Sequence, residues 1–199
     1  MVKRPARVLG WAAAWVIASG LAVLVSILGP PAVGAPVTPE LLKTLDLSGY
    51  PPDTKSPDFS GRTLEGKTVA LVGLRGRVVL LTFWASWCLE CRPEMPMFEQ
   101  LHREFARRGL TVLGINVREE SELVRRYATE LRLTFPLVLD PDGEIGTRYG
   151  VIGMPTSFLI GRDGRAVALA VGPREWTSLR ARAIIEALLS EPGGRAGAR

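Results

Sequence analysis

Two runs of apolar residues dominate the pattern of the chain and predict the centre of a β-sheet. Residues 78–84 and 110–117 are almost continuously apolar, as in strands that are buried on both faces. Between them, residues 88–108 predict a helix that bends at Pro96, because proline removes one backbone hydrogen bond. A second helix, over about 119–132, follows the second strand. Strand, helix and strand in this order predict a right-handed parallel unit.

Shorter elements flank this unit. Residues 59–70 predict a hairpin around Glu65-Gly66, because two short alternating runs meet at turn residues. The other expected elements are a short helix near 39–45, a strand over 137–139, a brief helix over 145–149, a hairpin of 155–160 with 166–170, and an amphipathic helix over 176–189. Together they predict an α/β domain with a central mixed sheet, an added N-terminal β-hairpin and an inserted segment before Pro136.

The N-terminal region predicts a membrane anchor. Residues 8–29 carry no charge and are mostly apolar, and about 20 such residues suffice to cross a bilayer as a helix. Residues 1–7 contain Lys3, Arg4 and Arg7, and this charge bias indicates a cytoplasmic N-terminus with the catalytic domain on the periplasmic or extracytoplasmic side. We therefore expect one N-terminal transmembrane helix.

A cleaved secretory signal is the alternative interpretation of this region. Ala32, Gly34 and Ala35 are small residues of the kind found at cleavage sites, and either reading exports the domain. The apolar stretch is longer than the usual hydrophobic region of a signal peptide, which favours a retained anchor. The expected organisation is then a basic tail at 1–7, an anchor at 8–29, a linker at 30–52, a folded domain at 53–190 and a disordered tail at 191–199.

The basic residues at the two ends of the chain explain its charge. The net charge is +5, and Lys3, Arg4, Arg7, Arg195 and Arg199 all lie outside the expected domain. The folded domain is then close to neutral. No basic stripe with interleaved aromatic residues remains, so a nucleic-acid partner is not expected.

The only two cysteines, Cys88 and Cys91, follow directly after the first apolar run. A strand that leads into a Cys-x-x-Cys at the start of a helix places the first sulfur where free backbone N–H groups favour a thiolate. Cys88 is therefore the candidate nucleophile. Cys91, three residues on, is the candidate resolving cysteine, close enough to attack a mixed disulfide formed by Cys88.

A zinc site and a structural disulfide are the two other interpretations of the cysteine pair. A structural zinc site needs four ligands, and beyond the cysteines the chain offers one histidine, His102, so no metal site is expected. A purely structural disulfide would close a very short loop and gain little chain entropy. His102 has no acid or nucleophile near it in the sequence, and no catalytic role is assigned to it.

The region around the cysteines resembles a known family. Residues 79–96 (VLLTFWASWCLECRPEMP) are similar to membrane-anchored thioredoxin-like proteins of the TlpA/ResA/CcmG type. Further matches, in the family's order, are SPDF at 56–59, PLVLD at 136–140, YGV at 149–151 and GMPTSFLI at 153–160. The resemblance covers about residues 57–189, and it implies a thioredoxin-like fold.

The resemblance also implies roles for four further residues. Met154-Pro155 is expected to be a cis peptide bond opposite the cysteines, with the Met154 backbone available to pair with an extended substrate. Trp87 is expected to line the docking surface. Thioredoxin's buried aspartate is replaced here by Thr82, and Glu94 matches the family's alternative acid, which exchanges a proton with the resolving thiol.

These expectations combine into a function. The chain is expected to be an extracytoplasmic, membrane-tethered thiol:disulfide oxidoreductase that reduces protein disulfides, with no metal, nucleotide or organic cofactor. By resemblance, its electrons come from a membrane donor of the CcdA or DsbD type, and its client belongs to cytochrome c maturation, such as apocytochrome c. We expect a monomer.

Three alternatives stay open at this point. A peroxiredoxin-like peroxidase shares the surrounding fold, although Ala85 stands where a peroxidatic motif has threonine. A disulfide-donating oxidase would use the same cysteines in the opposite direction. A copper metallochaperone could bind Cu(I) through Cys88 and Cys91 with Met95 or Met97, because soft sulfur ligands select that ion.

Overall fold

The structure, a computed structural model, describes residues 36–192. The expected basic tail at 1–7, the anchor at 8–29 and most of the C-terminal tail lie outside the described residues. Within the described part, no helix is both long enough and apolar enough to cross a membrane.

A single mixed β-sheet forms the framework of residues 36–192. Its eight strands are β1 (Ser48–Gly49), β2 (Ser60–Thr63), β3 (Thr68–Ala70), β4 (Val78–Trp84), β5 (Leu110–Val117), β6 (Leu137–Asp140), β7 (Thr156–Ile160) and β8 (Ala166–Val171), in the order β1-β8-β7-β4-β5-β6-β2-β3. The helices are α1 (Pro39–Lys43), α2 (Glu94–Phe105), α3 (Ser121–Glu130), α4 (Glu144–Arg148) and α5 (Leu179–Ser190), with short 3-10 turns at Leu71–Leu74 and Ala106–Arg108.

Strand β4 lies at the centre of the sheet and leads to the cysteines. It runs parallel to β5 and antiparallel to β7, and all of its residues are buried. Its side chains alternate between two hydrophobic clusters: Leu80 belongs to one, with residues of α2 and α5, and Leu81 belongs to the other, with residues of α4. The expected central strands and their parallel pairing are confirmed.

The added N-terminal hairpin is also present. Strands β2 and β3 pair antiparallel around the Glu65-Gly66 turn, and β2 continues the sheet by pairing with β6. The segment before Pro136, expected as an insertion, contains α3. The predicted short helices and the hairpin of β7 and β8 lie within a few residues of their expected bounds.

The segment expected as a linker, residues 30–52, packs on the domain over the part that the structure describes. Leu42, Leu45 and Leu47 are buried in the same cluster as α2 and α5. Strand β1, which the sequence pattern did not predict, pairs with β8 through Ser48 and Leu169. From α1 onward this stretch is therefore part of the folded domain, because its leucines pack against the apolar residues of that cluster.

Candidate active site

The cysteines lie in a tight turn between the end of β4 and the start of α2. The N–H groups of Cys88, Cys91 and Glu94 each donate to the carbonyl oxygen three residues earlier, at 3.1, 3.2 and 3.1 Å. Residues 85–93, the active-site turn, thus form successive tight turns rather than an α-helix. The expectation that the helix begins at Cys88 is wrong, because α2 begins at Glu94.

Two prolines explain the late start of the helix. An α-helix from Cys88 would need N–H donors at positions 93 and 96 for the carbonyls of Leu89 and Arg92, and both positions are proline. Pro96 falls in the first turn of α2, where an N–H has no partner within the helix anyway. The expected loss of a helix hydrogen bond at Pro96 therefore does not occur.

Cys88 and Cys91 form a disulfide, with 2.05 Å between the two sulfurs. Cys88 keeps 7% of its surface exposed and Cys91 only 1%, so Cys88 is the more accessible. The backbone N–H of Cys91 donates to the sulfur of Cys88 at 3.2 Å. A backbone donor of this kind favours a thiolate, and it lies within the turn rather than at the end of a helix.

The loop before β7 lies beside the active-site turn. Phe83 in β4 pairs with Thr156 in β7, which places Pro155 next to the end of the strand that leads to the cysteines. The Met154-Pro155 peptide bond is cis, as the resemblance implies. Within residues 36–192 the backbone N–H and C=O of Met154 make no hydrogen bond, whereas the Pro155 carbonyl accepts from the N–H of Gly172 at 2.9 Å.

An apolar groove adjoins this loop. Trp87 is 65% exposed and Ile152 is 98% exposed, and both are large apolar side chains. Together with Val117 and Met154 they line a cavity of about 370 Å³. The exposed side chain of Trp87 contrasts with that of Trp84, which is completely buried, as expected for a core residue.

Glu94, the first residue of α2, has a buried carboxyl group. Its Oε1 accepts hydrogen bonds from the Trp176 indole N–H at 2.6 Å and from the Arg174 backbone N–H at 2.8 Å. Its Oε2 is buried and has no hydrogen-bond partner within residues 36–192. Burial raises the pKa of Glu94 to about 7, although the hydrogen bonds and the positive charge of Arg174 favour the charged form.

Comparisons with known proteins show the family of the chain. Residues 52–168 match the AhpC/TSA family, and this match covers more than half of the chain. The chain belongs to that family.

Among relatives of this AhpC/TSA-family chain are two proteins from Bacillus. The thiol-disulfide oxidoreductase ResA of Bacillus thuringiensis is 36% identical over 113 residues, covering 57% of this chain and 65% of the relative, just under two thirds of its length. The thioredoxin-like protein YneN of Bacillus subtilis is 40% identical over 121 residues, covering 59% of this chain and 70% of the relative. The resemblance to thioredoxin-like proteins of the ResA type is confirmed.

A solved structure confirms the fold. The thiol:disulfide interchange protein DsbE from Chlorobium tepidum superposes with a TM-score of 0.64 at 34% identity, covering 73% of this chain and 99% of that one. The thioredoxin-like α/β fold expected from the sequence is therefore correct for the described part of this AhpC/TSA-family chain.

A second buried carboxylate, which no sequence motif indicated, lies at this site. Glu119 follows β5, and its two oxygens accept from the backbone N–H of Ser86 at 2.7 Å, from the Ser86 hydroxyl, and from the Asn116 side-chain amide at 2.6 Å. Ser86 lies two residues before Cys88, so Glu119 anchors the start of the active-site turn. Parallel strands end at the same sheet edge, and an acid directly after the second buried strand was the available signal.

Thr82 occupies the position of thioredoxin's buried aspartate, and its surroundings are neutral. Its hydroxyl accepts a hydrogen bond from the Ser157 hydroxyl at 3.0 Å, and both residues are buried. This pair supplies no carboxyl group on the β4 side of the site. Glu94 is instead linked to Cys91 through the backbone, because its N–H donates to the Cys91 carbonyl oxygen at 3.1 Å.

Proposed function

We propose that this chain is a thiol:disulfide oxidoreductase that reduces disulfides in proteins, with Cys88 as nucleophile and Cys91 as resolving cysteine. The observation that carries the proposal is the Cys88–Cys91 disulfide beside a cis-proline loop and an exposed tryptophan. The names of the relatives ResA and DsbE support the same reaction class.

The reaction proceeds from the reduced dithiol in two exchanges. The Cys88 thiolate attacks one sulfur of the substrate disulfide, forming a Cys88–substrate disulfide, and the other substrate sulfur leaves as a thiolate that takes a proton. The Cys91 sulfur then attacks Cys88, the Cys88–substrate bond breaks, and the second substrate sulfur leaves. Two electrons pass to the substrate, and the chain ends as the disulfide seen in the structure.

Glu94 is the proton acceptor of the second exchange. The Cys91 thiol must lose its proton before it attacks, and Cys91 is buried with only 1% of its surface exposed. A carboxyl group with a pKa of about 7 one turn away can take that proton and later return it. Its buried Oε2, which has no partner among the described residues, is the oxygen available for this exchange.

The groove and the cis-proline loop suit an extended protein segment as substrate. The free N–H and C=O groups of Met154 can pair with the backbone of a strand that carries the disulfide, as in a short β-augmentation. Trp87 and Ile152 offer apolar surface to the side chains of that segment. A cysteine-bearing segment of an unfolded protein, such as apocytochrome c, fits these features.

The N-terminal sequence supports a proposal for the cellular location of the chain. We propose that residues 8–29 anchor the chain in the membrane and that the domain is a monomer on the extracytoplasmic side, in the periplasm where one exists. The uncharged length of this stretch and the basic residues before it support this orientation. An exported compartment is oxidising, so a reductant there needs electrons from across the membrane, which a donor of the CcdA or DsbD type would supply.

The reduction potential of the full-length chain, equilibrated in defined thiol buffers, tests the direction. A value of about −270 mV or lower supports a reductant, whereas a value near about −120 mV would make the chain a disulfide donor instead.

The roles of the two cysteines are tested with the reduced chain and with insulin as the protein that carries the disulfide. The Cys91→Ser variant should accumulate a mixed disulfide through Cys88, and the Cys88→Ser variant should form none.

The same preparation tests the remaining alternatives. A rate of hydrogen peroxide turnover that exceeds the rate of insulin reduction would replace the proposal by a peroxidase. Stoichiometric Cu(I) binding that survives competition by excess thiol would replace it by a metallochaperone.

A further inference from the structure

Two groups from one loop bind the same oxygen of Glu94. The Trp176 indole and the Arg174 backbone N–H both donate to Oε1, at 2.6 and 2.8 Å. Both donors lie in the connection between β8 and α5, far from Glu94 in the sequence. No sequence motif singled out either residue.

The structure holds both donors in place. Trp176 is 1% exposed, and its ring packs 5.7 Å from the ring of Phe98 in α2, which limits rotation of the indole. The Arg174 guanidinium binds the carbonyls of Leu45 and Asp46 at 3.0 and 2.8 Å, and the Asp46 carboxylate at 3.0 Å. The two N–H groups are therefore fixed before any reaction begins.

This arrangement makes the two oxygens of Glu94 chemically different. Oε1 already accepts two hydrogen bonds, so a proton on Glu94 belongs on Oε2. Donors to a carboxylate also favour its charged form and oppose the effect of burial. The strength of these two hydrogen bonds thus sets both where the proton resides and at which pH it leaves.

We propose that Trp176 and Arg174 are positioning residues for Glu94, which direct its Oε2 to exchange the proton of the Cys91 thiol. This inference rests on the proposed function, in which Glu94 accepts that proton. In the step concerned, the Cys91 S–H bond breaks and its proton passes to Oε2. The Cys91–Cys88 bond then forms, and the Cys88–substrate bond breaks with the substrate thiolate as leaving group.

Few charged or titratable groups face Glu94. Among the described residues, the charge that acts on Glu94 is that of Arg174 in the β8–α5 connection, and Asp46 of the α1–β1 turn is held by the Arg174 guanidinium. Cys91 of the active-site turn is joined to Glu94 through the backbone. A change at Trp176 therefore removes one donor from Glu94 and leaves these groups in place.

The test is the rate of the resolving step in the full-length chain as a function of pH. The reduced protein is mixed with oxidised glutathione, the reaction is quenched at successive times, and the mixed disulfide is quantified by mass spectrometry. Wild type should show a midpoint near the pKa of Glu94. Trp176→Phe keeps an aromatic ring but removes the N–H that favours the charged form of Glu94, so the midpoint should rise by about one pH unit. Below the midpoint, the rate should then be lower by about tenfold.

Trp84→Phe is the matched control. Trp84 is also fully buried, and its indole N–H has no hydrogen-bond partner within residues 36–192, so this variant removes an indole without removing a donor from Glu94. Its midpoint should match that of wild type. An equal shift in both variants would assign the effect to lost packing and overturn the inference.

Glu94→Gln separates this inference from the proposed function. If Glu94→Gln keeps the wild-type pH profile, the role of Glu94 is wrong and the inference falls with it. If Glu94→Gln loses the inflection but Trp176→Phe keeps the wild-type midpoint, only the inference is wrong.

A second test uses only the wild-type chain, so its outcome does not depend on whether a variant folds. In an NMR titration of the oxidised protein, the indole N–H resonance of Trp176 should move with pH with the same midpoint as the Glu94 carboxyl carbon. An indole resonance that is constant through the titration of Glu94 would show that the hydrogen bond does not respond to the proton, and it would overturn the inference.

Discussion

Two buried carboxylates, those of Glu119 and Glu94, lie at the two ends of the active-site turn, and their oxygens accept different numbers of hydrogen bonds. Glu119 accepts three hydrogen bonds shared between its two oxygens, two of them from Ser86 at the start of the turn. Glu94, at the end of the turn, accepts two hydrogen bonds on one oxygen and none on the other from the described residues. The same chemical group is thus an anchor of the turn at one end, whereas at the other end it keeps one buried oxygen without a partner among the described residues.

The difference shows how burial alone is a poor guide to function. A buried carboxylate whose two oxygens both accept hydrogen bonds has little acceptor capacity left for a substrate or a thiol. One with an unbound buried oxygen carries a desolvation cost that a proton would relieve, which is why the pKa of Glu94 is raised to about 7. Counting donors on each oxygen separates the two roles.

The largest effect is expected on the rate of disulfide reduction. Replacing Glu94 by Gln removes the proton acceptor and should lower the rate at neutral pH by about 10²-fold, at the lower end of what acid–base catalysis contributes. Replacing Glu119 by Gln should change it by less than about threefold, because an amide oxygen can accept from the Ser86 and Asn116 N–H groups and its NH₂ can donate to the Ser86 hydroxyl. Insulin reduction by each full-length variant measures both. Equal losses would erase the distinction between the two carboxylates.

The second effect is on stability and should be larger at Glu119. Glu119→Ala leaves the Ser86 N–H and the Asn116 amide without their partner, which should lower the free energy of unfolding by roughly 2 to 3 kcal/mol. Urea unfolding of the oxidised protein measures this difference. Glu119→Gln is the control and should recover most of the loss. A Glu119→Ala variant as stable as wild type would mean that the anchor is dispensable.

The third effect is a change in the free energy of unfolding with pH that arises from the protonation of Glu94. Its pKa is raised in the folded chain, from 4.5 to about 7, so the folded state binds a proton more tightly than the unfolded state does. The stabilisation by that proton is complete below the unfolded pKa and is lost as the pH rises through the folded pKa. Between pH 5 and pH 7.5 the contribution should fall by about 2 kcal/mol, given about 1.4 kcal/mol per unit.

Urea unfolding of wild type and Glu94→Gln across this pH range isolates the effect. The glutamine variant does not titrate, so the difference in stability between the two proteins should change with pH by the stated amount. Parallel curves for the two proteins would contradict the raised pKa.

The sequence predicted the strands and the reactive pair because their signals are local. The apolar runs at 78–84 and 110–117 are long enough to need burial on both faces, and Cys88 and Cys91 combine chemistry and spacing in four residues. Helix α2 begins later than the apolar pattern predicts, because Pro93 and Pro96 cannot donate the backbone hydrogen bonds that a helix from Cys88 needs. Strand β1 was missed because two residues are too few for a periodicity.

The contacts that complete the site are long-range and could not be predicted in this way. Glu94 meets Trp176, 82 positions away, and Ser86 meets Glu119, 33 positions away. Only the fold of the sheet and the packing of the β8–α5 connection bring these residues together. The resemblance to a family supplied Glu94, but Trp176 and Arg174 belong to no motif that the sequence analysis used.

The smallest expected effect is on the free energy of unfolding, and it tests whether the Ser86 hydroxyl stabilises the turn only through its hydrogen bond to Glu119. Ser86→Ala removes one hydroxyl donor but keeps the backbone N–H, so the free energy of unfolding should fall by about 1 kcal/mol. Ser60→Ala, at an exposed position in β2, is the control and should change it by less than about 0.5 kcal/mol. The double variant Ser86→Ala/Glu119→Ala should be no less stable than Glu119→Ala alone, because the hydroxyl then has no carboxylate to bind. Additive losses in the double variant would mean that Ser86 stabilises the turn by a contact other than the one with Glu119.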